Sequence, residues 1–163
     1  LASHRPFPLI ALAIMQSERG RPEQADAYLD LIDACDPATV EGPVAAAAAR
    51  LRGQLALDRG DHEGTLRNIG RSLAVCVRND DRIDRGYALG LYAAWLARTG
   101  RPADAQRLRA TLVRSADTDA QLREALQREL AGAAAGEDAP EPDLDLALVT
   151  EQAILAARRA ESG

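Results

Sequence analysis

The stretch GRPADAQRL, Gly100 to Leu108, lies between two apolar segments, and the chain carries two relatives of it. GRPEQADAY runs from Gly20 to Tyr28, and a looser GDHEGTLRN from Gly60 to Asn68, so the three glycines stand 40 residues apart. A glycine that closes one apolar-periodic segment and opens another fits the position just past a helix end, where the backbone must turn left-handed. Pro22 and Pro102 follow two residues later, in the first turn of the next helix, where a missing N–H costs nothing. Asp61 serves the middle copy as an N-cap. Each copy reads as an elbow between two antiparallel helices, and its recurrence at a fixed period signals a repeat architecture.

The flanks agree. Leu9, Leu12, Ala13 and Gln16 precede the first elbow on one helical face, Ala49, Gly53 and Ala56 precede the second, and Leu89, Tyr92, Ala93 and Leu96 the third. After the elbows come Ala25, Leu29 and Ile32, then Leu66, Ile69 and Leu73, then Ala105, Leu108 and Leu112. Steps of three and four are helical, not strand-like. A small residue stands seven before each elbow glycine (Ala13, Gly53, Ala93) and five after it (Ala25, Thr65, Ala105), which lets paired helices approach closely. The pattern predicts helices over 7–19, 21–35, 42–59, 62–78, 82–99, 102–115 and 117–135, the last opened by a capping box of Thr118 and Gln121. GEDAPEPD, Gly136 to Asp143, reads as an acidic linker before a final helix over 143–160, with Leu144, Leu148 and Leu155 on one side.

The series Ala13, Gly20, Ala25, Pro37, then Gly53, Gly60, Thr65, then Ala93, Gly100, Ala105 resembles the tetratricopeptide repeat over residues 6–116. The resemblance implies an all-α fold, a right-handed solenoid of antiparallel hairpins with seven to eight helices. Residues 1–136 then form the repeat domain, with repeats at 6–40, 41–80 and 81–116 and a degenerate helix at 117–135. Residues 137–163 supply the acidic linker and a C-terminal capping helix. The period of 40 exceeds the family's 34. Ile32, Ser72 and Leu112 stand where the family has a small residue, and Arg109 where it has an apolar one. The long repeat is similar to the helical sensor regions of MalT-like and antibiotic-regulatory bacterial transcription regulators.

The 163 residues are 47% apolar but only 3% aromatic, so the core rests on Leu, Ala, Ile and Val. There is no lysine. The net charge of −5 sits entirely in the tail: residues 1–136 hold 18 acidic residues and 18 arginines, residues 137–163 hold 7 and 2. A neutral body with an acidic end lacks the basic face that nucleic acid requires. No apolar run is long enough to span a bilayer. A start at Leu1 reads as a piece cut from a longer, cytoplasmic protein.

Residues with reactive or ligating side chains are few and scattered. Cys35 and Cys76 have no CxxC partner, and His4 and His62 have no acidic or thiol neighbour at ligand spacing. No phosphate loop, nucleophile elbow or dinucleotide fingerprint occurs. Asp80 and Asp81 read as helix caps, and Tyr92 and Trp95 as core packing, Trp95 at the meeting of successive first helices. The expectation is a non-catalytic chain with no metal and no cofactor.

In the tetratricopeptide family the first helix of each pair lines a groove. The resemblance therefore implies a partner-binding surface of Arg50, Gln54, Asp58, Tyr87 and Arg98. Arg50, Gln54 and Asp58 are spaced by four and share a helical face. The family's carboxylate clamp needs lysine, which this chain lacks. The leading expectation is a protein–protein interaction scaffold, the regulatory segment of a larger transcriptional regulator, binding a protein, a peptide or another domain of the parent chain. The alternatives are a sensor of a peptide or small molecule in the groove, and a structural spacer or homodimerisation element using the last helix.

Overall fold

The computed structural model describes residues 5–132 and 143–162, and every regular element among them is helical. The helices are α1 (Pro6–Glu18), α2 (Pro22–Asp33), α3 (Gly42–Asp58), α4 (His62–Asn79), α5 (Arg82–Arg98), α6 (Pro102–Arg114), α7 (Ala120–Gly132) and α8 (Leu146–Ser162). A short 3-10 turn, Pro37–Thr39, joins α2 to α3, with Asp36 accepting from the Ala38 N–H. All of the predicted acidic linker except Asp143 lies outside the described residues.

The three elbow glycines have φ of 69°, 77° and 85° for Gly20, Gly60 and Gly100. In each, the N–H after the glycine bonds back over the helix end: Arg21 to Gln16 O, Asp61 to Ala56 O and Arg101 to Leu96 O, all at 2.9 Å. This pattern satisfies carbonyls that the helix leaves open, and a side chain at the glycine would be strained. The α4–α5 junction repeats the device without glycine. Asp80 takes φ 50°, and the Asp81 N–H bonds to Cys76 O at 2.9 Å. Aspartate tolerates this conformation better than most side chains. Asp81 then caps α5 by accepting from the Asp84 N–H.

Helices joined by these turns pack on one another, α1 with α2, α3 with α4 and α5 with α6. The six small positions flanking the elbows are buried. A Cβ on Gly53 would stand 3.0 Å from Leu91 of α5, 3.4 Å from Asn68 Cβ and 3.5 Å from Thr65 O of α4, so glycine there sets how closely α3 meets both neighbours. Ser72, fully buried, donates to Ala46 O across the α3–α4 contact at 2.9 Å. Two apolar cores result. The smaller joins α1, α2 and most of α3 around Ile10, Leu29 and Leu51. The larger joins α4 to α8 and the end of α3 around Ile69, Leu89, Leu108 and Leu126.

Expectations change at α7 and at α8. Helix α7 begins at Ala120, and its cap is Asp119, which accepts from the Leu122 N–H at 2.8 Å; Thr118 is buried and makes no capping bond. The loop before it is closed instead by Arg123, whose guanidinium donates to Val113 O, Ser115 O and Thr118 O. The Trp95 indole N–H donates to His62 O at the start of α4, at 2.9 Å, and its ring stacks on Tyr92 at 5.6 Å. On α8 the buried stripe is Thr150, Ala153 and Ala157, while Leu148 and Leu155 are half exposed. The reason is on α4. Gly70 leaves so little room that a Cβ there would overlap Ala157 Cβ, and only small residues fit so close. The last helix, α8, thus packs along α4.

Candidate functional site

The five residues expected to line a groove fall on α3 and α5, which touch. They form two linked groups along one seam. At the elbow end, Gln54 donates to Asp58 at 3.0 Å. Arg98 crosses from α5, donating to Leu57 O at 3.0 Å with its other nitrogen 3.9 Å from Asp58. Both charged side chains are about half exposed, so this pair contributes little to stability.

Towards the other end, the Arg50 guanidinium lies over the Tyr87 ring, 5.1 Å from its centroid. Tyr87 in turn donates its hydroxyl to Asp119 at 3.0 Å, tying α5 to the start of α7. Asp119 was not foreseen as part of this surface. It is 32 residues from Tyr87, and in sequence it reads only as a loop aspartate. Burial, together with the Asp119 bond, pushes the Tyr87 hydroxyl up to about 12. Burial also lowers the Arg50 pKa, against the opposing pull of Asp84 and then of Tyr87 and Cys76. Asp84 is raised, first by burial and then by Asp81 beside it.

Arg50 is the unusual member. Its Nε is buried without a hydrogen-bond partner, and among the described residues no carboxylate closes an ion pair with it. Gln54, Asp58, Tyr87 and Arg98 each have a polar partner within the chain. An arginine over an aromatic ring is attracted by the ring's negative face.

Among the described residues no group of three or more His, Cys, Asp or Glu is placed to hold a metal ion. Cys35 and Cys76 are thiols; burial pushes Cys76 up to about 11. No helix among the described residues is long and apolar enough to cross a membrane. Leu148 and Leu155, seven apart on the outer face of α8, are the kind of surface that the dimerisation reading requires. No protein-family model, curated protein or solved structure matches the chain.

Proposed function

We propose that this chain is a non-catalytic interaction module, a solenoid of antiparallel hairpins in which the α3–α5 seam docks a carboxylate-bearing segment of a protein or peptide. The observation that carries this reading is Arg50, 5.1 Å from the Tyr87 ring centroid, its buried Nε without a hydrogen-bond partner and its charge met only at longer range by Asp84. Buried polar groups are almost always hydrogen-bonded. A partner's aspartate, glutamate or terminal carboxylate would supply the missing acceptor and make a charge-assisted bond. Gln54, Asp58 and Arg98 would give the flanking polar contacts. The placement of such a module within a larger bacterial regulator follows from the repeat resemblance and belongs to the same proposal.

The test is selection of peptides from a random-sequence phage library on the immobilised chain. Recovered sequences are expected to be rich in Asp and Glu. The double variant Arg50→Gln, Tyr87→Ala should bind a recovered peptide at least tenfold more weakly, about 1.4 kcal/mol. Binding retained within twofold, or recovered sequences without acidic residues, would remove the assignment.

A further inference from the structure

On the other side of α3, helices α2 and α4 stand apart and leave a cleft of about 470 Å³. Ile32, Val40, Ala48 and Val75 supply apolar walls. The volume falls within the range of small-molecule sites, roughly 300–1,000 Å³. A cleft of this size suits a small ligand.

Its charges narrow the ligand further. Three charged side chains line it: Asp33, Arg52 and Arg71. Arg52 is matched, donating to Asp33 at 2.7 Å, with Asp30 beyond at 3.9 Å. Arg71 is 65% exposed, and among the described residues its ion-pair partner is Glu161 of α8, at 3.6 Å. Such an exposed pair is worth little and yields readily to a better anion. One cation in the lining is thus left without a firm partner, beside an apolar chamber.

We propose that this cleft binds a small amphiphilic monocarboxylic acid, its chain among Ile32, Val40, Ala48 and Val75 and its carboxylate on Arg71. The site is separate from the Arg50 seam and stands or falls independently of it.

Cys35 lines the same cleft and is partly exposed, whereas Cys76 is buried with a thiol pushed up to about 11. Alkylation by iodoacetamide at pH 8, read by mass spectrometry, therefore reports on the cleft through Cys35. Decanoate is expected to slow Cys35 alkylation at least fivefold at saturation. Decanol, acetate and decyltrimethylammonium should slow it less than twofold, since each lacks the chain or the negative charge. Arg71→Gln, at an exposed position, should keep the helical circular dichroism and raise the half-effective decanoate concentration at least tenfold. Equal protection by decanol, no protection by decanoate, an unaltered Arg71→Gln response, or decanoate-accelerated alkylation of Cys76 would each overturn the proposal, the last by revealing a loosened fold.

Discussion

Helix α4 has two flanks, and they are finished differently. On one, α8 lies so close that Gly70 and Ala157 meet without room for another methyl group. On the other, Asn68, Arg71 and Val75 face a cleft, and α2 stands off across it. Asn68 and Gly70 are two residues apart, which is about 200° round a helix. The same helix therefore packs tightly on one side and leaves space on the other. Apolar content does not explain the difference, since Ile32, Val40 and Val75 line the cleft too. Side-chain size does. Glycine facing alanine lets two helix backbones approach until no gap remains, while valine and arginine hold neighbours apart.

Three positions on α4 sharpen or break this contrast. The largest effect is expected at Gly70, against α8. Gly70→Leu should cost about 3 kcal/mol by overpacking, read as a shift in the urea midpoint. The pairing is checked by the size swap Gly70→Ala with Ala157→Gly. It should lose less than Gly70→Ala alone if the two residues truly meet. A Gly70→Ala variant that gains stability, as helix propensity alone would give, would show that α8 does not sit there.

An intermediate effect is expected at Ser72, which faces α3. Ser72→Ala removes the buried bond to Ala46 O and should cost about 1 kcal/mol. The smallest is expected at Val75, on the cleft. Val75→Leu adds a methylene where there is space and should stay within about 0.5 kcal/mol of the parent. A loss at Val75 as large as that at Gly70 would mean that the cleft is closed in solution.

Much of the helix map was legible from the elbows alone. Gly20, Gly60 and Gly100 carry both local signals that end a helix and a period that relates the ends to each other. The aspartates at 80 and 81 were legible as caps, but the left-handed Asp80 was not, because aspartate gives no sign of which of its uses applies. Leu148 and Leu155 misled for a different reason. Hydrophobicity marks a face that can be buried, whereas the face α8 buries was chosen by its neighbour, Gly70, 87 residues earlier in the chain. The seam was half legible. Residues four apart on α3 could be grouped by arithmetic, yet Asp119 joins them only through a contact with Tyr87 that no local pattern announces. The cleft left no mark in the sequence, since an unfilled volume is a property of how α2, α3 and α4 are spaced.

Trp95 is the chain's one tryptophan, and its place between Tyr92 and the start of α4 makes it an optical gauge of a single part of the molecule. It packs on the larger core, and the smaller core of α1 to α3 contains no indole. Its emission therefore follows the melting of one core, while far-ultraviolet dichroism follows the helices of both. Coincident curves would describe one cooperative unit. An early dichroism loss with emission unchanged would describe a first hairpin that opens while the rest of the molecule holds.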